Sequence, residues 1–135
     1  MALMEWNDSY LIGVQEVDRQ HRHLVEILNR VHAGMQAGNP PREMMRVMQD
    51  LVNYTRYHFD TEERAMSNAG YPELAGHQQK HRGMVAKVEA FSEEMLSGKA
   101  TVTMRLMIFL KDWLSRHILE TDRRFGEYMA KKQAA

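Results

Sequence analysis

Five histidines and two carboxylates stand in this chain at spacings that could gather them around metal. His58 and Glu62 are four residues apart, as are His77 and His81. Four residues of α-helix bring a side chain back to within about 40° of its starting direction, one turn further on, so each pair can aim at one point. His21 and His117 stand alone, and Asp122 follows His117 by five residues. A single HxxxH or HxxxE pair is weak evidence, because chance supplies many on solvated helix faces. The same clue on several helices carries more weight. With no cysteine in the chain, a metal here is held by nitrogen and oxygen alone.

The elements that must present these groups follow from the breaks. Gly38-Asn39-Pro40-Pro41, Gly70-Tyr71-Pro72 and Ser97-Gly98-Lys99 divide the sequence into stretches rich in helix formers, with only 3 prolines and 8 glycines overall. Helices are expected at about 18–37, 41–69, 73–97 and 101–132, with Pro41 as a first-turn residue and Thr101 as the cap of the last. Short links make neighbours antiparallel, giving an all-α, up-down-up-down four-helix bundle, with residues 1–15 as an extended arm packed outside. A chain of 135 residues is the size of a single domain, so 1–135 reads as one unit.

Apolar residues at steps of three and four define the inner stripes. They run His21-Leu24-Leu28-Val31-Met35, then Met44-Met48-Leu51-Thr55-His58-Glu62-Met66, then His77-His81-Met84-Val88-Phe91-Met95, then Met107-Leu110-Leu114-His117. Every stripe contains an imidazole. Burying a polar group without a partner costs a few kcal/mol, and a buried carboxylate far more, so a compensating cation near the bundle axis is the economical reading. Most of the 12 methionines read as core packing.

His117 and Asp122 do not fit a regular helix, since five residues rotate the chain by about 140° beyond a full turn. Both can face the core only across an irregularity, and one π-type turn, which aligns i with i+5, is predicted there. His23, about 200° from His21 around the helix, and His32, beside Val31, read as surface or boundary residues.

Lys+Arg and Asp+Glu balance at 18 each, which provides no basic field for nucleic acid. The first ten residues, MALMEWNDSY, contain no basic segment leading into an apolar one. No uncharged apolar run approaches the roughly 20 residues of a membrane span. The cytoplasm is therefore the expected location.

The residues together resemble the hemerythrin family in its single-domain bacterial form, almost end to end. Trp6, Tyr10, Ile12-Gly13-Val14 and Asp18-Arg19-Gln20-His21 carry the match in the arm and first helix. Tyr57-His58-Phe59-Asp60-Thr61-Glu62-Glu63 carries it in the second, Tyr71-Pro72 and His77-Gln78-Gln79-Lys80-His81 in the third, and Trp113 through Asp122 in the fourth. The resemblance implies two non-haem irons, one on His77, His81 and His117 and the other on His21 and His58. Glu62, Asp122 and an oxo or hydroxo group would bridge them. Of about twelve positions on two octahedral ions, such a set leaves one open, where dioxygen binds reversibly. Phe59, Trp113, Leu114 and Ile118 resemble the family's apolar oxygen pocket. The resemblance further implies a monomer that is an oxygen carrier or store rather than an enzyme, with an oxygen-consuming enzyme as a candidate recipient.

Other readings compete. A di-iron oxidase carries Glu-x-x-His on each of two helices, and neither Glu62 nor Glu89 has a histidine three residues on. A peroxidase-like side activity at the open iron remains an alternative. A sensor of oxygen, nitric oxide or redox state would need a partner that the sequence does not name. A purely structural bundle leaves Glu62 and Asp122 uncompensated.

Overall fold

Stripes of this kind become stable helices by facing one another, and the computed structural model, which describes residues 2–134, is a four-helix bundle. Helix α1 spans Gln15–Gln36, α2 Pro41–Ala69 and α3 Leu74–Leu96. The fourth rod is composite: α4 (Met104–Arg116), a π-helical turn (His117–Asp122) and α5 (Arg123–Ala134) follow without a break. The predicted irregularity is therefore present at the predicted place.

Local chemistry sets the ends. Pro41 opens α2 at its first turn, where a missing N–H costs nothing. Gly70, with φ 68°, closes α2 in the left-handed conformation, and the Tyr71 N–H reaches back 2.9 Å to the Met66 carbonyl. The C-terminal helix completes this cap from a distance: the Tyr128 hydroxyl donates to the Ala69 carbonyl at 3.0 Å, and Lys132 Nζ donates to the same oxygen. Lys132 thus serves the end of α2 as well as its own helix.

The fourth rod begins later than the expected residue 101. Thr103, not Thr101, is the cap, its hydroxyl accepting from the Leu106 N–H at 3.3 Å. Helix α1 begins earlier than 18, because the Asp18 side chain lies inside its first turn and accepts from the Ile12 and Gly13 N–H groups at 2.8 and 3.2 Å. The arm itself is extended apart from a 3-10 turn at Asp8–Tyr10. It docks tightly: Asn29 brackets Met4 through both backbone N–H and carbonyl. A Cβ on Gly126 would lie 2.1 Å from the Ile12 carbonyl oxygen, so only glycine admits the arm there.

The arm also corrects the reading of His32. That residue is 5% exposed: the arm docks on Asn29, one turn before it, and α1 buries more of its circumference than its inner stripe. His23 is exposed as expected and packs on the Tyr54 ring.

Candidate metal centre

All seven predicted donors are buried, and each element contributes to one place in the bundle. Helix α1 supplies His21, α2 supplies His58 and Glu62, and α3 supplies His77 and His81. The π turn supplies His117 and Asp122, its wider winding bringing both inward where an α-turn would send Asp122 aside. His21, His58, Glu62, His117 and Asp122 have donor atoms all within 4.8 Å of one another. His77 and His81 flank this group, each against one carboxylate.

The two carboxylates organise the distances. Glu62 Oε2 lies 2.8 Å from His58 Nε2 and 3.2 Å from both His21 and His117 Nε2, while its Oε1 is 3.1 Å from His81 Nε2. Asp122 Oδ2 lies 2.7 Å from His21 Nε2 and 2.8 Å from His117 Nε2, and its Oδ1 is 3.3 Å from His77 Nε2. Each carboxylate therefore meets histidines of both expected groups. Two ligands in adjacent octahedral positions at about 2.1 Å from an ion stand about 3.0 Å apart, and these separations bracket that value.

Hydrogen bonding leaves the same atoms unfinished. His58 Nε2, His81 Nε2 and Glu62 Oε1 have no hydrogen-bond partner despite their close neighbours, nor does His21 Nδ1. Buried polar atoms are rarely left so, and donors that share a third partner take up this spacing. Electrostatics agrees. Burial opposes charge on His117, yet Asp122 and Glu62 hold its pKa up at about 10. The same carboxylates raise His21 against its burial, whereas at His58 desolvation prevails and lowers the pKa. Glu62, although fully buried, is held well below the ordinary carboxylate range by His117 and His58. Asp122 is lowered too, with burial and Glu62 opposed by His117. Imidazoles that keep protons to neutralise buried carboxylates are sites where a cation can replace those protons.

Two supporting residues escaped the sequence reading. His58 Nδ1 is 3.0 Å from Gln20 Oε1, and His81 Nδ1 is 2.8 Å from Glu63 Oε2. Accepting the Nδ1 proton fixes the tautomer that leaves Nε2 free to bind metal. The one available signal was adjacency, since Gln20 precedes His21 and Glu63 follows Glu62.

The four expected pocket residues divide in two. Trp113 and Leu114 line an apolar cavity of ≈ 10 Å³ with Leu51, Thr55 and Leu110, about one helical turn from His58 and His117, about the least that admits one water. Phe59 stacks on His81 with ring centroids 3.8 Å apart, and Ile118 is wholly buried. Trp113 also stacks on His117 at 4.9 Å, its planes 11° off parallel. These rings pack against the histidines.

Comparison with known proteins gives the same answer. Residues 12–128 match the hemerythrin HHE cation-binding domain family. A bacteriohemerythrin of Stenotrophomonas maltophilia is 32% identical over 94% of this chain and 82% of its own length. Another, from Methylococcus capsulatus, is 30% identical over 93% of this chain and 96% of its own. The crystal structure of a wild-type hemerythrin superposes with a TM-score of 0.88 at 29% identity, covering 93% of this chain and 97% of that one. A bundle that converges five imidazoles and two buried carboxylates through a π turn, aligned over most of its length with these proteins, belongs to the hemerythrin family.

Proposed function

We propose that the chain binds dioxygen reversibly at a di-iron centre. The observation that carries this reading is the pair of buried carboxylates, each within 3.3 Å of histidines from both groups, as ligands shared between two ions must be. His77, His81 and His117 would hold one iron and His21 and His58 the other, with Glu62, Asp122 and an oxo or hydroxo group between them. When bound, the irons supply the two electrons by which dioxygen is held and released.

The chain's own contribution is orientation and exclusion. Gln20 and Glu63 hold His58 and His81 in one tautomer, and the Phe59 and Trp113 rings fix His81 and His117 in rotation. Leu114 walls a cavity too small and apolar to favour water, which slows loss of electrons from a ferrous centre to bulk oxidants. Leu114→Asn is expected to speed autoxidation severalfold at unchanged iron content; an unchanged autoxidation rate removes the pocket role.

This reading includes a monomer in the cytoplasm serving an oxygen-consuming enzyme. No helix among the described residues is long and apolar enough to cross a membrane. The deciding experiment measures iron per chain, reduces the protein without air, and records the visible spectrum as oxygen is admitted and withdrawn. Two irons and a band that appears with oxygen and fades without it support a carrier. Two irons that oxidise at once, with no persistent band, favour a sensor or redox enzyme instead.

A further inference from the structure

A groove of ≈ 540 Å³ runs between α3 and α4, outside the centre but ending on it. That volume lies within the roughly 300–1,000 Å³ of small-molecule sites. Lys80 and Lys87 line it from α3, Phe109, Trp113 and Arg116 from α4, and His117 forms its floor. Its one acidic lining residue is Asp112. A second groove of ≈ 300 Å³ shares Lys80 and Thr121 with it, adds Arg124 and Glu73, and reaches His77.

Two further observations mark this face as built for a ligand. His77 and His117 are each 5% exposed, while His21 and His58 are 0% exposed, so this side is where imidazole edges of the centre meet solvent. The two glycines inside α3, Gly76 and Gly83, each line one of these grooves. A glycine within a helix costs about 1 kcal/mol relative to alanine. A Cβ at either would meet nothing within 4 Å, so packing does not require them, and their effect is to lower the groove wall. Lys87 Nζ stands 5.5 Å from the Phe109 ring centroid, joining charge and aromatic surface in one place.

Resting on the di-iron reading, we propose that this groove binds reduced flavin mononucleotide, the electron donor that restores an oxidised centre. The planar ring lies along Phe109 and Trp113, where aromatic stacking is favourable, with Lys87 beside Phe109 at the ring's end of the groove, and the phosphate meets Lys80 and Arg116. The chain has no cysteine, so it holds no thiol to supply electrons from within. The flavin hydroquinone loses two electrons and two protons and becomes oxidised flavin. The two electrons would reduce a diferric centre held by His21, His58, Glu62, His77, His81, His117 and Asp122, one on each ion, while one proton would be taken up there and the other would go to solvent. Trp113, stacked on His117, places the donor's ring next to an imidazole of the centre.

The test begins with iron content, because a preparation without two irons per chain fails the di-iron reading by itself. Binding is then read from flavin fluorescence polarisation, with flavin mononucleotide, riboflavin and inorganic phosphate as separate probes, and needs no iron chemistry. The mononucleotide is expected to bind at least tenfold more tightly than riboflavin. Lys87→Glu is expected to weaken it at least tenfold, and Gly83→Leu, which fills the groove without changing charge, to abolish it at wild-type helix content. Anaerobic reduction of the diferric protein by the reduced mononucleotide should saturate in the wild type and slow at least tenfold in both variants. Equal affinity for riboflavin, displacement by phosphate as effective as by the mononucleotide, or variants that bind and are reduced like the wild type overturn the proposal.

Discussion

The bundle has two ends built on opposite principles. Around the loops joining α1 to α2 and α3 to α4, the core is mainly apolar, with Met44, Met48, Leu51, Met95, Met107 and Leu110 buried and His32 as a single buried imidazole. Around the arm and the α2–α3 turn, apolar residues such as Met66, Ile118 and Phe125 enclose the buried His21, His58, Glu62, His77, His81, His117 and Asp122. The first end gains stability from removing apolar surface from water and requires nothing beyond the chain. The second buries charge and leaves four of its polar atoms without partners, so its stability is conditional on what it binds. One bundle therefore combines a permanent scaffold with a site whose order depends on metal.

Removing the metal gives the largest contrast. Chelation is expected to lower stability by several kcal/mol, because metal affinity is folding energy for such a site. Hydrogen exchange should accelerate first around residues 58–62, 77–81 and 117–122, and last around Met48 and Met107. Uniform acceleration along α2 would erase the distinction between the ends.

Paired substitutions sharpen it. Met48→Ala is expected to cost about 2–5 kcal/mol with or without metal. Glu62→Leu should abolish iron binding in the loaded protein yet leave the metal-free protein as stable or more so, since it removes a buried charge. Denaturant titrations of both variants in both states read the sign directly. A metal-free Glu62→Leu protein much weaker than the metal-free parent contradicts the account of a conditional end.

Glu63→Leu tests the support of the centre with a smaller effect. Loss of the acceptor for His81 Nδ1 should weaken iron retention by about 10–100-fold, measured by competition with a chelator, while helix content stays constant.

The last prediction concerns pH. In the metal-free protein, His117 is raised to about 10, so its contribution is fully present below its unfolded value near 6.5 and is lost as pH climbs towards 10. Glu62 and Asp122 are lowered, so theirs is present above the ordinary carboxylate range and lost in acid. The metal-free form should be more stable at pH 6 than at pH 9. The loaded form should show the reverse slope below neutrality, where protons compete with metal for imidazole. Thermal melts of both forms across this range would separate the slopes.

The sequence was informative where side-chain periodicity and chemistry coincide. Glu62 sits on an apolar stripe between Thr55 and Met66, so its burial and its need of a cation were both readable. The five-residue step from His117 to Asp122 was readable as a conflict with ordinary helix geometry, and the π turn resolves it. Gln20 and Glu63 were not readable in their roles, because a polar residue beside a ligand looks like the solvated edge of a helix until the neighbouring helix is in place. His32 failed for a related reason: the covering arm is remote in sequence and obeys no period. Thr101 and Thr103 are equally good caps in isolation, and only the course of the α3–α4 connection selects between them.

The π turn also sets the phase of everything after it. An α-helix with one residue added is a π turn at that point, and the residues downstream are rotated by roughly 100° relative to an uninterrupted helix. Phe125 and Gly126 follow Asp122 at steps of three and four, so the rotation that brings Asp122 inward also turns Phe125 into the core and Gly126 towards Ile12. Point substitutions between His117 and Asp122 leave this phase intact. Rewinding this segment as regular α-helix without shortening it would swing Phe125 towards solvent and unseat the arm, whereas a single-residue deletion would set His117 and Asp122 four residues apart and keep the phase, so in this segment winding and length are matched to one another.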